Sequence, residues 1–225
     1  MIIDFHAHIQ PGADHGCDGL ETSLGQLTLA KNAGVDTVVA VSHFYPYKED
    51  LDSYLTRQNE AKTVLKNALA NRNDLPKVLF ASEVALCSGL DKMEGLEKLC
   101  VEGCDCILIE MPFDRWDNKI LETLENIKHR LGLEPLLAHV DRYNPSDIEH
   151  LIAMDILCQV NIESLFPFFK KRTVLKWIKE GRIAAIGSDI HKLDTVYSDF
   201  DKAFKIIGKD NLSAIMKKSQ ELLNL

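Results

Sequence analysis

The sequence contains no uninterrupted apolar run of the roughly 20 residues that a transmembrane helix needs. It also has no basic N-terminal region followed by a signal-type apolar stretch, because Met1 leads directly into an apolar, strand-like pattern. Positive charge is not in excess either, since 26 Lys and Arg against 34 Asp and Glu give a net charge of −8, whereas binding to a phosphate backbone needs clustered cations. We therefore expect a cytoplasmic protein that is not inserted in a membrane and does not bind nucleic acid.

The six cysteines lack the usual functional patterns. They form no CxxC pair, and none begins a Cys-x5-Arg loop of the kind that cysteine-dependent phosphatases use to hold phosphate. Because disulfides rarely persist in the cytosol, we expect free thiols. A GxGxxG turn is absent as well, so dinucleotide binding has no support.

Short apolar segments alternate with amphipathic segments along the whole chain. Seven of the apolar segments are predicted to be strands, at about residues 2–5, 35–41, 77–81, 106–109, 136–138, 158–160 and 183–186. Helices are predicted at about residues 20–33, 48–71, 120–131, 146–154, 172–179, 200–207 and 212–223. This alternation is typical of parallel β/α units buried on both faces.

Polar residues follow most of the predicted strands, as they do at the C-terminal face of a β/α barrel, and do not cluster at a single switch point. The fold class that we predict is therefore α/β, a distorted TIM-like (β/α)7 barrel with a metal site at the C-terminal ends of the strands. No linker marks a boundary, so residues 1–225 are predicted to form one domain.

The first strand carries two histidines two residues apart, and such side chains project from the same surface. Later strands also end in, or lead to, histidine or acidic residues. Nine such candidate ligands result: His6, His8, His15, His43, Glu83, Glu110, His139, Asp189 and His191. Their convergence at one rim would be costly without cations to neutralise it.

Imidazole and carboxylate ligands without thiolate suit manganese, iron or zinc in a multinuclear site. A cluster of this kind produces hydroxide from water near neutral pH and clamps the oxygens of a phosphoryl group. Phosphoester hydrolysis is therefore the first chemical hypothesis, with a metal-held hydroxide as the attacking group.

The polar motifs also occur in a familiar order. They are Asp4-x-His6-x-His8 with the loop at 12–16, Val41-Ser42-His43, Ser82-Glu83-Val84, Ile109-Glu110-Met111-Pro112, Ala138-His139-Val140-Asp141-Arg142-Tyr143, Gln159-Val160-Asn161 and Gly187-Ser188-Asp189-Ile190-His191-Lys192-Leu193-Asp194. In this order they resemble the PHP (polymerase and histidinol phosphatase) superfamily. The set looks most like its bacterial branch of manganese-dependent protein-tyrosine phosphatases, which regulate capsular and exopolysaccharide synthesis.

The resemblance implies a centre of three ions, Mn²⁺ or otherwise Fe or Zn. By position, His6, His8, Glu83 and Asp189 would hold the first ion; Glu83 would share the second with Glu110 and His139; and His15, His43 and His191 would hold the third. Arg142 would bind phosphate as the catalytic arginine, although a salt bridge to Asp141 or to a helix carboxylate is an alternative for it. The substrate would be phosphotyrosine in a protein, such as the tail of a tyrosine autokinase, and an oligomer is compatible with the sequence.

Two departures from the phosphatase branch bear on this interpretation. His15 stands where the branch usually has aspartate, so Asp14 competes with it as the third-site ligand. A second arginine is also missing after residue 191, where Thr195-Val196-Tyr197-Ser198 has no basic residue, and Lys192 or Lys48 is a candidate replacement. Phe44, Tyr45 and Tyr47 either stack beside an aryl phosphate or pack within their loop.

Three other functions compete with this one. TatD-like and amidohydrolase barrels also begin with HxH and end with aspartate, but they need fewer ligands. A PHP-type phosphatase could act on a small phosphomonoester such as histidinol phosphate. The third alternative is a catalytically silent metal-binding regulator that docks on a kinase or polysaccharide enzyme.

Overall fold

A computed structural model describes residues 1–114 and 116–225. Over these residues it contains nine β-strands: β1 (Ile3–Ala7), β2 (Thr37–Ala40), β3 (His43–Phe44), β4 (Lys77–Phe80), β5 (Glu83–Ala85), β6 (Cys106–Glu110), β7 (Glu134–Leu137), β8 (Leu157–Asn161) and β9 (Ile183–Gly187). The strands are short and apolar. In β6, for example, residues 107–109 are fully buried, and each such side chain stabilises the fold by about 1.5–3 kcal/mol.

Seven α-helices follow or separate the strands in the described residues: α1 (Leu20–Asn32), α2 (Leu51–Leu69), α3 (Asn118–His129), α4 (Pro145–Ala153), α5 (Phe168–Lys179), α6 (Phe200–Ile207) and α7 (Lys209–Leu222). Short 3₁₀ turns lie at Leu90–Lys92, Leu96–Leu99, Val140–Arg142, Ile162–Leu165 and Val196–Asp199. Side-chain caps explain several helix starts, because Asp50 accepts a hydrogen bond from the Ser53 backbone N–H at 2.9 Å and Asp117 accepts one from that of Ile120 at 3.0 Å.

All strand pairs are parallel, and they form two sheets. The first has the order β1-β2-β4, and the second has the order β3-β5-β6-β7-β8-β9. Only residues 41–42 separate β2 from β3, and only residues 81–82 separate β4 from β5. Two continuous chain segments therefore pass from one sheet into the other.

The sheets also meet at their other edges. The backbone N–H of Asp189 donates to the His6 carbonyl at 2.7 Å, and the N–H of His8 donates to the Ile190 carbonyl at 2.9 Å. Seven strand paths thus succeed one another, and the last lies beside the first. The α/β class with parallel strands is confirmed, and the breaks at 41–42 and 81–82 are the distortion of the predicted barrel.

Some predicted boundaries need correction. The helix predicted at 172–179 begins at Phe168, directly after Pro167, and the one predicted at 48–71 is confined to Leu51–Leu69. The predicted strands at 35–41 and 77–81 correspond to β2 and β4, and the short strands β3 and β5 that follow them were not predicted. The buried apolar side chains of the described residues form one cluster that includes Phe5, Leu108 and Trp177. Among these residues no helix is both long and apolar enough to cross a bilayer.

Candidate metal centre

His6, in β1, and His8, directly after it, lie side by side at the carboxyl end of the strand. Both are fully buried, and their Nε2 atoms are 3.0 Å apart. Two glycines leave room for them: a Cβ at Gly187 would lie 2.6 Å from the His6 Cβ, and a Cβ at Gly16 would lie 2.3 Å from the His8 Cβ. Any other residue at these glycines would push the imidazoles out of place.

Glu83, the first residue of β5, lies at the middle of the site. Its carboxylate is buried, and it touches four imidazoles. The contact distances are 3.2 Å to His6 Nε2, 3.0 Å to His8 Nε2, 3.1 Å to His43 Nδ1 and 2.8 Å to His139 Nε2. Burial by itself raises the pKa of Glu83, but attraction to His6, the hydrogen bond with His139 and the close contact with His43 outweigh it, so the pKa lies well below its usual range. Glu83 is therefore an anion held among histidines.

Asp189 adds a second carboxylate on the same side. Its Oδ1 is 3.6 Å from both His6 Nε2 and His8 Nε2. Its Oδ2 accepts a hydrogen bond from Asn161 Nδ2 at 2.9 Å and also contacts the guanidinium of Arg142. Asp189 has a φ of +55°, a left-handed conformation that is uncommon for a residue other than glycine. Strain of this kind is typical of functional sites, and it turns this carboxylate toward the histidines.

Glu110 and His139 lie on the far side of Glu83. Glu110 ends β6, and its Oε1 is 3.5 Å from His139 Nε2. His139 follows β7 with a φ of +35°, and its backbone N–H donates to Gln159 Oε1 at 2.6 Å. Burial alone lowers the pKa of His139, but hydrogen bonds with Glu110 and Glu83 raise it to about 9.

The remaining predicted ligands form a third region. Ligand atoms of His8, His43 and His191 lie within 4.8 Å of one another. Burial, together with the neighbouring His8, lowers the pKa of His191 to about 4, so its imidazole is neutral at pH 7. His15 is exposed, and its ring stacks at 4.8 Å on His43 and lies 5.1 Å from His191.

Asp14, the competing candidate, has other partners. Its Oδ2 is 3.0 Å from His8 Nδ1 and accepts the His43 backbone N–H at 2.8 Å, while its Oδ1 accepts the Gly16 backbone N–H at 2.8 Å. Asp14 thus contacts the outer nitrogen of His8, away from Glu83. A carboxylate in this position orients a metal-binding histidine and fixes its tautomer.

The donor atoms fit metal ions. Three groups in the described residues place their ligand atoms within 4.8 Å of one another: His6, His8 and Asp189; His43, Glu83 and Glu110; and His8, His43 and His191. The buried Nδ1 of His43 has no hydrogen-bond partner among these residues, although it lies 3.1 Å from Glu83 Oε2. Imidazole and carboxylate donors so close together suit divalent cations shared between groups.

Aromatic side chains flank this cluster on two sides. The Tyr45 ring stacks at 5.2 Å on that of His43, and Lys48 Nζ lies 3.9 Å over Tyr45. On the other side Phe113 is 68% exposed, and its ring is 6.5 Å from that of His139 and nearly parallel to it. Aromatic side chains thus lie beside two of the candidate ligands, and an aromatic ring can pack favourably against such side chains.

Of the nine predicted ligands, seven contribute to the three groups. His139 belongs to none of the three groups but contacts Glu83 and Glu110. In the described part of the site, His15 contacts only the rings of His43 and His191. Arg142 lies next to Asp189 with 35% of its side chain exposed. The predicted replacement cation Lys48 is beside the cluster through Tyr45, whereas Lys192 is exposed on the surface.

Sequence reasoning missed the residues that hold these ligands in place. Asp4 accepts the Tyr197 hydroxyl at 2.6 Å and the Ser188 backbone N–H at 2.9 Å, which ties β1 to the segment after β9. Gln159 and Asn161 support His139 and Asp189. Their spacing of two residues on β8, which puts both side chains on one face, was the available signal. Nothing in the pattern pointed to Phe113.

The six cysteines are free thiols, and none of them belongs to the three ligand groups of the described residues. Burial raises the pKa of Cys158 to about 12, and burial with its neighbours raises that of Cys100 to about 12. Thiolate is the reactive form of cysteine, so these thiols are poor nucleophiles.

The fold and the site together define a class of protein. It is a parallel β/α protein with barrel-like strand order, and its histidine and acidic side chains meet at the carboxyl ends of the strands as a candidate multinuclear metal centre. The family model described as capsular polysaccharide synthesis, CpsB/CapC, matches residues 2–220. The chain therefore belongs to the CpsB/CapC family.

Curated relatives agree with this assignment. The tyrosine-protein phosphatase CpsB of Streptococcus pneumoniae is 27% identical over 241 residues, covering 98% of this chain and 94% of the relative. The protein of the same name from Streptococcus agalactiae (serotype V strain) is 25% identical over 224 residues, covering 93% and 90%.

Solved structures show the same fold. One, described as YwqE from Bacillus subtilis and CpsB from Streptococcus pneumoniae, unique metal-dependent tyrosine phosphatases, matches with a TM-score of 0.83 and 23% identity, covering 99% of this chain and 94% of that one. A probable 2-pyrone-4,6-dicarboxylic acid hydrolase from Acinetobacter baumannii matches with a TM-score of 0.55 and 14% identity, covering 100% and 99%. The second match shows that a related fold also occurs in a probable hydrolase of another kind.

Proposed function

We propose that this chain is a metal-dependent protein-tyrosine phosphatase that acts in capsular or exopolysaccharide biosynthesis. The observation that carries the proposal is the buried Glu83 carboxylate shared by four imidazoles, with an exposed arginine beside the neighbouring Asp189, in a member of the CpsB/CapC family. The whole of residues 1–225 would act as one catalytic domain.

We assign the ligands to three ions, with manganese as the preferred metal. His6, His8, Glu83 and Asp189 would hold the first, Glu83 would share the second with Glu110 and His139, and His15, His43 and His191 would hold the third. The contacts of Asp14 support His15 as the third-site ligand, because both carboxylate oxygens of Asp14 already accept backbone N–H groups.

Bound divalent metals supply a nucleophile from water near neutral pH and neutralise charge on phosphoryl oxygens. The chain itself supplies Arg142, whose planar guanidinium matches a phosphoryl group and stabilises its charge as the tyrosine phenolate leaves. The products are free tyrosine side chain and inorganic phosphate, and no covalent intermediate on the enzyme is required. Tyr45 and Phe113, which lie beside His43 and His139, are the aromatic side chains available to contact the phenyl ring.

These aromatic side chains beside the candidate ligands support the substrate class. They favour an aryl phosphate, and phosphotyrosine is the aryl phosphate of proteins. We propose phosphotyrosine in the tail of a bacterial tyrosine autokinase as the physiological substrate.

The test combines metal analysis with a substrate panel. Protein purified without chelator is expected to hold more than one metal equivalent and to hydrolyse phosphotyrosine peptides faster than alkyl phosphomonoesters. A chelator should abolish turnover, and added Mn²⁺ should restore it. Each Cys→Ser variant should keep most of its activity.

Other outcomes point to the alternatives. Faster hydrolysis of histidinol phosphate than of phosphotyrosine would favour a small-molecule phosphatase. A metal-loaded protein without activity on any ester would favour a silent regulator. Activity that survives chelation but is lost in one Cys→Ser variant would contradict the metal-dependent mechanism.

A further inference from the structure

The start of α5 contains an unusual run of residues. Phe168 and Phe169 are 75% and 84% exposed, and they are followed by Lys170, Lys171 and Arg172. We call these five residues the basic-aromatic patch. Such a concentration of cations stands out in a chain whose net charge is −8.

The basic-aromatic patch does not have the charges that stabilise the start of a helix. The N-terminus of a helix carries partial positive charge, so acidic residues stabilise it and basic residues destabilise it, each by about 0.3–1 kcal/mol. The first turn of α5 has no acidic residue and its N-cap residue, Pro167, makes no side-chain cap. Local rules are broken mainly where function requires it.

A groove lies directly beside the patch. Its volume is about 310 Å³, and its lining includes Arg142, Tyr143, Pro145, Phe169, Thr173 and Trp177. This volume is at the lower end of the range of about 300–1,000 Å³ for ligand pockets. It has room for a side chain of an extended segment. Its charged lining consists of Arg142 and Lys170 together with Asp141, and Lys171 and Arg172 follow directly on α5.

The groove adjoins the candidate metal centre through one residue. Arg142 lines the groove and at the same time contacts Asp189. The residues next to a phosphotyrosine bound at the metal centre are therefore within reach of the groove.

Two of the three cations of the patch form no ion pair among the described residues. Lys170 Nζ is 3.7 Å from the carboxylate of Asp141. In the part of the chain that the structure describes, neither Lys171 nor Arg172 lies within 4.0 Å of a carboxylate. Their complement is a segment with acidic residues.

We infer that this groove and the basic-aromatic patch bind the segment next to the phosphotyrosine of a protein substrate, and that this segment is acidic and carries an aromatic side chain. The inference rests on the proposed phosphatase function and adds to it a sequence preference around the phosphorylated residue. A second copy of this chain fits poorly, because a two-fold contact would set the cations against themselves.

The first experiment measures substrate preference with the metal-loaded protein. Three substrates are compared. Two are phosphotyrosine peptides of equal length: the first has acidic and aromatic residues next to the phosphotyrosine, and in the second the acidic residues are replaced by lysine and the aromatic one by alanine. The third substrate is p-nitrophenyl phosphate. In a Lys171→Glu/Arg172→Glu variant, we expect kcat/KM for the acidic peptide to fall about tenfold relative to that for p-nitrophenyl phosphate. The control, Lys209→Glu/Lys217→Glu on α7, has the same change of charge and should keep the wild-type ratio.

Thermal unfolding separates binding from folding in this variant. Acidic residues at the start of α5 favour the helix, so the Tm of Lys171→Glu/Arg172→Glu should equal or exceed that of the wild type. Reduced peptide preference together with a clearly lower Tm would mean a structural effect and would overturn the inference.

A pair of adjacent phenylalanines provides a finer comparison. Phe169 lines the groove, whereas Phe168 does not. Phe169→Ala should raise KM for the acidic peptide by about threefold to tenfold, and Phe168→Ala by less. Equal effects of the two substitutions would exclude the groove as the binding site.

Direct binding separates this inference from the proposed function. Fluorescence anisotropy with the labelled acidic phosphopeptide does not depend on turnover. Binding that is weakened in Lys171→Glu/Arg172→Glu supports the inference even if no ester is hydrolysed. Hydrolysis of phosphotyrosine with identical preference and binding in wild type and variant overturns the inference and leaves the proposed function standing. Sedimentation with phosphatidylserine vesicles tests a membrane surface as the partner. If the wild type sediments with these vesicles, the Lys171→Glu/Arg172→Glu variant does not, and the two have the same peptide preference, the patch binds a membrane and the inference is overturned.

Discussion

Two buried carboxylates, Glu83 and Asp91, are held in very different ways. Asp91 is 4% exposed, and its Oδ2 accepts hydrogen bonds from Arg130 Nη2 at 2.6 Å and from Asn126 Nδ2 at 3.0 Å. Glu83 is 1% exposed, and its neighbours are imidazoles. An arginine is always charged, whereas an imidazole exchanges its proton near neutral pH.

The difference separates a structural acid from a candidate metal ligand. The negative charge of Asp91 is neutralised permanently by one side chain that is itself partly exposed to water. Around Glu83, the neighbouring imidazoles neutralise its charge only while they carry protons. When they bind a metal they release these protons, and the metal then supplies the positive charge. A buried acid surrounded only by titratable partners is therefore the stronger indication of a metal site.

Removal of the two carboxylates should give the largest contrast. Glu83→Ala is expected to lose more than one metal equivalent and to lower kcat/KM for phosphotyrosine by about 10³-fold or more. Asp91→Ala should keep metal and activity but lose about 1–3 kcal/mol of unfolding free energy, because Arg130 and Asn126 lose the carboxylate that accepts their hydrogen bonds. Elemental analysis, kinetics and denaturant unfolding measure these effects. Glu83→Ala with a single equivalent lost and activity retained would refute the role of Glu83 as the shared ligand.

The two arginines should differ in the same way. Arg142→Ala is expected to lower kcat by about 10²-fold, as for other donors that act on the transition state, with metal content unchanged. Arg130→Ala, which breaks the pair with Asp91, should affect stability and not kcat. Equal kcat in the two variants would remove Arg142 from the reaction.

The pH dependence of stability should differ between metal-free and metal-loaded protein. Burial alone lowers the pKa of His8, but hydrogen bonds with Asp14 and Glu83 raise it to about 10, and that of His139 is about 9. A pKa raised above the unfolded value of about 6.5 adds stability that is complete below that pH and is lost as pH rises through 9 to 10. The Tm of metal-free protein should therefore fall over this alkaline range.

Metal binding requires these imidazoles without their protons. The increase in Tm caused by Mn²⁺ should accordingly be greater at alkaline than at acidic pH. Thermal scans with and without Mn²⁺ at several pH values provide the measurement. Asp91→Ala serves as the control, because its site has no histidine and its Tm should follow the wild-type pH curve at a constant offset. A Mn²⁺ effect that decreases with pH would contradict the ligand assignment.

The smallest expected effect on activity is that of Phe113, the exposed aromatic residue beside His139. Phe113→Ala should raise KM for p-nitrophenyl phosphate by a few-fold, since an aromatic contact contributes about 0.5–1.5 kcal/mol, and KM for an alkyl phosphate should stay the same. Because Phe113 is exposed, stability should change by less than about 0.5 kcal/mol. An equal rise of KM for both esters would show that the ring does not select aryl groups.

Much of the fold could be read from the sequence, and for a definite reason. Buried parallel strands appear as short apolar runs, and their carboxyl ends meet at one rim. The residues that follow these runs, such as His43, Glu83 and Asp189, could therefore be placed near one another from the order of the strands alone. Boundaries could be read less well: α5 begins four residues earlier than predicted, because the adjacent Phe168 and Phe169, followed by three cations, do not have the i, i+3, i+4 apolar spacing that indicates a helix.

Only the tertiary structure decided which partner each of these groups has. Asp14 could have faced the metal or the back of His8, and its contacts place it at the back. Tyr197 supports Asp4 across 193 positions of the chain, a contact that exists only because the last strand lies beside the first. The sequence alone determined which chemical groups reach the rim, since that depends on local strand and turn patterns. Their distances, their pKa values and the groove beside Arg142 depend on long-range packing, which no local pattern encodes.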